Sequence, residues 1–164
     1  MTTVKVFAPA KINLALHVTG KRDDGYHELD TLVAFADVGD SIVVQAANAL
    51  SLTVEGPEAT DVPANMNNLA LQGAKLAADG HGAGITLRKQ LPVASGMGGG
   101  SADAAAAYRG VLGLRAVNES ASDPQRAMLK AASKDSMRRL AEIGADVPMC
   151  LGSMPARAMG AGEK

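Results

Sequence analysis

A single cysteine, Cys150, occurs among 164 residues. That excludes an internal disulfide framework and any metal site built from several thiolates. Tryptophan is absent, and two Tyr and two Phe are the only aromatics, so a core must be built from Ala, Val, Leu and Met, which gain less burial energy per residue. No surplus of positive charge exists. Sixteen Lys and Arg face 17 Asp and Glu, a net charge of −1, so a nucleic-acid partner is not expected. No apolar run reaches the roughly 18–20 residues of a membrane span, and no membrane partner is expected either. Met1-Thr2-Thr3-Val4-Lys5-Val6 runs almost directly into strand-like sequence, without a basic segment followed by an apolar one. A cytoplasmic protein is the expectation.

Small residues are what the chain has in quantity: 31 Ala and 18 Gly. They allow backbones to approach closely. At this length one compact domain is expected, over residues 1–151, with 152–164 as a glycine-containing tail of little periodicity.

The first half alternates. Val4–Ala8 reads as a strand stopped by Pro9. In the following strand, Ile12, Leu14, Leu16 and Val18 share one face, read as half-buried, while Lys11, Asn13, Ala15 and His17 share the polar one. Further strands are predicted at Leu29–Phe35, Ser41–Gln45, Leu50–Val54 and Gly84–Leu91. Helices are predicted from near Asn67 to Asp79-Gly80, from Ser101 to about Leu112, from Asp123-Pro124, and from Ser133 to Gly144. Strands dominate early and helices late, which predicts an α+β fold with a mixed sheet packed against helices.

The most informative stretch is Pro92-Val93-Ala94-Ser95-Gly96-Met97-Gly98-Gly99-Gly100-Ser101. Four glycines in five positions, 96 to 100, let backbone N–H groups converge without Cβ atoms in the way. The predicted helix follows at once, so its unpaired amides and positive dipole end face the same spot. Such a site suits the phosphates of a nucleotide. The stretch is neither a Walker A loop, since no Gly-Lys-Ser/Thr follows, nor a dinucleotide fingerprint. On local grounds alone a flexible strand-to-helix linker explains it equally well. If phosphates do bind, a branched side chain at Gly99 is expected to block their approach.

Three separated blocks change that balance. They are Pro9-Ala10-Lys11-Ile12-Asn13-Leu14, the glycine-rich stretch continuing through Ala102-Asp103-Ala104-Ala105-Ala106, and Ile143-Gly144-Ala145-Asp146-Val147-Pro148. In this order they resemble the GHMP kinase superfamily. The resemblance implies the N-terminal domain of such a kinase, with ATP and Mg²⁺ as cofactors. ATP contacts would come from Pro92, Ala94, Ser95, Gly96, Met97, Gly98, Gly99, Gly100 and Ser101. It further implies Lys11 and Asp146 as a catalytic pair, with Asp146 the base for a substrate hydroxyl, and Asn13 as a substrate contact. Asp24-Gly25-Tyr26-His27 is similar to the branch acting on a small molecule, a cytidine diphosphate-linked methylerythritol, in the non-mevalonate isoprenoid route. Tyr26 and His27 would then hold the cytosine.

The resemblance also implies a second domain beyond Gly160-Ala161-Gly162-Glu163, so the expectation is of a domain without its partner. It would show an exposed apolar face, weak ATP binding and slow turnover or none. The contrasting reading is a catalytically silent nucleotide-binding fragment or interaction module. The segment between Leu114 and Ser133 is longer than the resemblance would give. Asp103 reads as a first-turn acid favoured by the helix dipole. His17 and His81 lack the neighbours of metal ligands, Cys150 reads as a small buried hydrophobe, and no metal site on the protein is expected.

Overall fold

The fold is seen in a computed structural model that describes residues 2–21, 25, 27–118 and 133–160. Two long strands, β1 (Thr3–Lys21) and β2 (His27–Ala46), pair antiparallel over their whole length. β3 (Ser51–Glu55), α1 (Leu69–Ala78) and β4 (Ala83–Arg88) form a crossover unit in which β3 and β4 are parallel. α2 (Gly99–Asn118), α3 (Lys134–Ile143), α4 (Val147–Gly152) and β5 (Ala156–Gly160) complete the described chain. The sheet order is β1-β2-β4-β3, with β5 beside the other half of β2. The mixed sheet and its helices match the predicted α+β class.

Pro9 does not end a strand, and residues 36–40 do not separate two. Both expected breaks are absorbed in one register shift, between Pro9 and Lys11 on β1 and between Gly39 and Phe35 on β2. Pro9 has no N–H to leave unpaired, and it faces Gly39. The two backbones are so close there that a Cβ on Gly39 would fall 2.2 Å from the Ala8 carbonyl oxygen. A residue smaller than alanine is what keeps the ladder continuous.

The apolar face expected of residues 12–18 is not buried. Leu14, Leu16 and Val18 are 63%, 52% and 64% exposed. A further shift between Asn13 and Ala15 interrupts their alternation, and β1 is an edge strand with only β2 beside it. Leu32 and Met159 are exposed on the same ribbon, but in register with Ala15 and His17 and so on the face opposite Leu16 and Val18; exposed apolar side chains are present on both faces rather than gathered on the one expected. The tail is corrected too: residues 156–160 form β5, whose Ala158 is buried opposite Thr31.

The helices follow local signals. Asn68 caps α1 by accepting from the Ala70 N–H at 2.9 Å, and α1 ends at Asp79 in the left-handed conformation before Gly80. Ser133 caps α3 and Gly144 ends it. The helix predicted from Asp123-Pro124 lies outside the described residues. α2 runs six residues past the predicted end at Leu112, because it is buried along most of its length. Ala104 to Ala107 are wholly inaccessible. A Cβ on Gly73 of α1 would fall 2.2 Å from the Ala104 carbonyl oxygen, and one on Gly110 would fall 2.7 Å from Val44. Small side chains thus bring α1, α2 and β2 together around Ile42, Val44, Ile85, Leu87 and Leu140.

The contrast between sheet centre and ribbon is measurable. In urea unfolding, Ile42→Ala is expected to cost about 2–5 kcal/mol, the usual range for emptying a packed core position. Leu16→Thr, on the exposed ribbon, is expected to stay within about 0.5 kcal/mol of the parent.

Candidate functional site

The glycine-rich stretch leaves β4 and enters α2 through a backbone with Ala94, Gly96 and Gly98 in the left-handed region. Gly98 is the tightest of these points. Its φ is +61°, and a Cβ there would sit 3.1 Å from the Lys11 Cβ. The loop is fastened to β1 next door, where the Lys11 N–H donates to the Met97 carbonyl at 2.9 Å. The first intrahelical bond of α2 runs from the Ala102 N–H to the Gly98 carbonyl at 2.9 Å. The amides from Gly98 to Ser101 therefore have no intrahelical acceptor. Residues 92–101 all line one open cavity of about 340 Å³, joined by residues 61–63, Asn67, Asn68, Leu69, Lys89 and Asp103.

Beside this loop, Lys11 Nζ lies 3.0 Å from Asp146 Oδ2, so the expected pairing is present. Asp146 precedes α4 and makes no capping bond with its side chain. The lysine side chain is 3% exposed and the aspartate 42%, leaving the carboxylate open to an incoming group. Lys11 Nζ also donates to Asn13 Oδ1 at 3.0 Å. Thr31 Oγ1 donates to the Ala15 carbonyl at 2.8 Å and lies 3.4 Å from Asn13 Oδ1.

Arg109, unnoticed in the sequence, braces this corner from α2. Its guanidinium donates to the carbonyls of Cys150 (2.9 Å), Leu151 (2.5 Å) and Phe7 (3.1 Å). It thereby ties the end of α4 to β1, the strand that carries Lys11. Cys150 is buried as expected, and burial pushes its thiol up to about 12.

His27 is not brought to this corner. It is exposed at the start of β2, opposite Lys21. Lys21 lies ten residues along β1 from Lys11, at most about 33 Å along an extended chain. Tyr26 lies outside the described residues. His17 is exposed on the ribbon, and the ring Nδ1 of His81 is 3.0 Å from the Ala78 carbonyl. Among the described residues no three His, Cys, Asp or Glu side chains are grouped to hold a metal ion.

Asp103 is not a solvent-facing first-turn acid. It is 2% exposed, and its Oδ2 lies 3.2 Å from Lys89 Nζ. The same ammonium is hydrogen-bonded to the fully buried Asp40, which also accepts the N–H groups of Gln90 (2.5 Å) and Leu91 (2.9 Å). Burial pushes the Asp103 carboxyl up to about 8; Lys89 opposes the shift and Asp40 adds to it. This cluster also corrects the reading of Gly99. A Cβ there points inward, 3.0 Å from Lys89 Nζ and 3.7 Å from Asp40 Oδ2. A side chain at Gly99 would press on the cluster rather than stand in the way of phosphate. Neither Asp40 nor Lys89 carries a local signal, since one lies in a turn-like Gly-Asp-Ser and the other just before Gln-Leu-Pro.

A model of the GHMP kinases N terminal domain matches residues 68–153, and the chain belongs to that family. Two curated relatives are 4-diphosphocytidyl-2-C-methyl-D-erythritol kinases. The one from Ruegeria pomeroyi is 50% identical over 98% of this chain and 52% of its own length. That from Paramagnetospirillum magneticum is 49% identical over 99% of this chain and 54% of its own. The chain thus spans about half the length of the curated relatives it matches. A crystal structure of a 4-(cytidine 5'-diphospho)-2C-methyl-D-erythritol kinase superposes with a TM-score of 0.65 at 36% identity, covering 97% of this chain and 53% of that one. Mevalonate kinase from Staphylococcus aureus shares the fold, with a TM-score of 0.57 at 15% identity over 97% of this chain and 55% of its own.

The raised Asp103 carboxyl has a signed consequence for stability. An ordinary carboxyl near 3.8 in the unfolded chain becomes one near 8 in the fold. Between those values the folded state holds the extra proton, so stability falls as pH rises through the window. In thermal unfolding from pH 5 to 9, the parent chain is expected to lose more stability than Asp103→Asn, which has no proton to release. Parallel profiles for the two would contradict this charge state.

Proposed function

We propose that this chain carries the ATP-binding and phosphoryl-transfer centre of a kinase that phosphorylates the 2-hydroxyl of 4-diphosphocytidyl-2-C-methyl-D-erythritol, in the non-mevalonate route to isoprenoid precursors. One observation carries the reading: Lys11 is bound through its N–H to the glycine loop and through its ammonium to Asp146. A phosphate-sized site and an acid–base pair therefore share one residue. The substrate name comes from relatives near 50% identity, and a cytoplasmic setting with MgATP as the phosphoryl donor is part of the proposal.

In this reading the amides of Gly98 to Ser101 hold the ATP phosphates at the positive end of α2. Magnesium arrives with the nucleotide, whose phosphate oxygens are its natural ligands. Asp146 accepts the proton of the substrate hydroxyl. The freed oxygen forms a bond to the γ-phosphorus as the bond from that phosphorus to the β–γ bridging oxygen breaks, and ADP leaves with that electron pair. The Lys11 ammonium offsets negative charge on the transferring group. Asn13, fixed by Lys11 and Thr31, contacts the alcohol. Tyr26 and His27 hold the cytosine.

The test is ATP titration followed by a phosphoryl-transfer assay with the purified chain. Asp146→Asn is expected to lower the transfer rate about 10²-fold or more, in line with loss of a general base, while ATP affinity is retained. Gly98→Ala is expected to weaken ATP binding, since it strains a positive φ and crowds Lys11. Saturable ATP binding with no Asp146-dependent product would favour the catalytically silent reading. Absence of ATP binding would overturn the proposal.

A further inference from the structure

Two buried carboxylates stand directly beneath a loop built for anions, and that is electrostatically perverse unless their charge is dealt with. Asp40 comes from β2, Lys89 from just past the end of β4, and Asp103 from α2. Asp40 is inaccessible, and both its oxygens are used, by Lys89 Nζ and by the N–H groups of Gln90 and Leu91. Those two amides open the turn that becomes the glycine loop. Lys89 Nζ in turn lies under Gly99, the first residue of α2. Asp103 differs from Asp40 in one respect: its Oδ1 is buried with no hydrogen-bond partner among the described residues.

We propose that Asp40, Lys89 and Asp103 form a positioning clamp for nucleotide binding, which fixes the loop from both ends while presenting no net charge to the phosphates. Asp40 and Lys89 act as an ion pair that anchors the loop's start and supports its finish at Gly99. Asp103 holds a proton, so the three side chains together are neutral. An ionised carboxylate with one oxygen orphaned in a buried site is costly, whereas its protonated form carries no charge to desolvate. The upward shift of Asp103 to about 8 agrees with this assignment.

Few other groups can disturb that proton. From α4 the facing group is Cys150, whose thiol stays neutral well above this range. α1 carries a single charged residue, Lys75, which is exposed to solvent. The Lys11 ammonium of β1 is engaged with Asp146. Loss of the Asp103 proton would then place a full negative charge under the first turn of α2, and the phosphates would meet it.

The inference rests on the ATP site proposed above, and its test separates the two. MgATP affinity of the 164-residue chain is measured by calorimetry from pH 7 to 9.5, for the parent, Asp103→Asn and Asp40→Ala. The parent is expected to lose about tenfold in affinity over this range, the size of one additional like charge at short distance in a partly screened site. It should also take up protons on binding near pH 8.5, seen as a dependence of the heat on buffer ionisation. Asp103→Asn should lose both effects. Asp40→Ala, which orphans two loop amides, should bind at least about tenfold more weakly at every pH, the scale of a lost charge-assisted hydrogen bond. A parent that binds with the same pH profile as Asp103→Asn overturns the clamp and leaves the ATP site standing. If Asp40→Ala does not fold, the Asp103→Asn comparison decides alone. A parent that does not bind MgATP at all overturns the ATP site and this role with it.

Discussion

The backbone of Lys11 is the joint on which the arrangement turns. Its N–H holds the glycine loop at Met97, and its ammonium holds Asp146 at the head of α4. Just before it the ladder slips by two residues, from Pro9 opposite Gly39 to Lys11 opposite Phe35, an even step that leaves the side chains on their faces. At Gly39 the partner backbone approaches too closely for a Cβ. A proline without a donor and a glycine without a side chain thus lie next to the one residue shared by the loop and the acid–base pair.

The Ala-rich composition serves the same corner. α2 begins at the loop and continues for twenty residues through the middle of the domain. Its Ala104–Ala107 segment meets α1 backbone to backbone at Gly73, and Gly110 leaves room for the Val44 side chain of β2. A buried helix of this kind cannot tilt without opening a void, and voids in packed interiors are costly. Arg109, three carbonyls in hand, transmits that rigidity to α4 and so to Asp146. The loop needs such support, since four glycines in five positions gain nothing from local propensity.

Local chemistry was legible in the sequence; distant chemistry was not. The glycine stretch, the start of α2 near Ser101, the caps at Asn68 and Ser133 and the stop at Gly144 depend on neighbours along the chain, and each lies within two residues of its expected place. Pro9 was misread because its ladder partner, Gly39, is thirty residues away. Leu14, Leu16 and Val18 show the limit of periodicity, which reveals that a face is apolar but not what lies against it. Asp103 looked like a helix-start acid because the ammonium that meets it belongs to Lys89, and the carboxylate behind that to Asp40. Buried charge clusters assembled from three elements have no spacing rule to betray them.

The loop, Lys11 and Asp146 act only as one centre. Backbone amide spectra of the ¹⁵N-labelled chain, recorded during titration with MgATP, test this most directly. The account predicts that the largest shifts fall together on Gly98 to Ala102 and on Lys11, with smaller ones at Asp146 and Gln90. Saturating shifts confined to the surface around Phe7, Val38 and Ser41, with the amides of Gly98 to Ala102 unmoved, would contradict it.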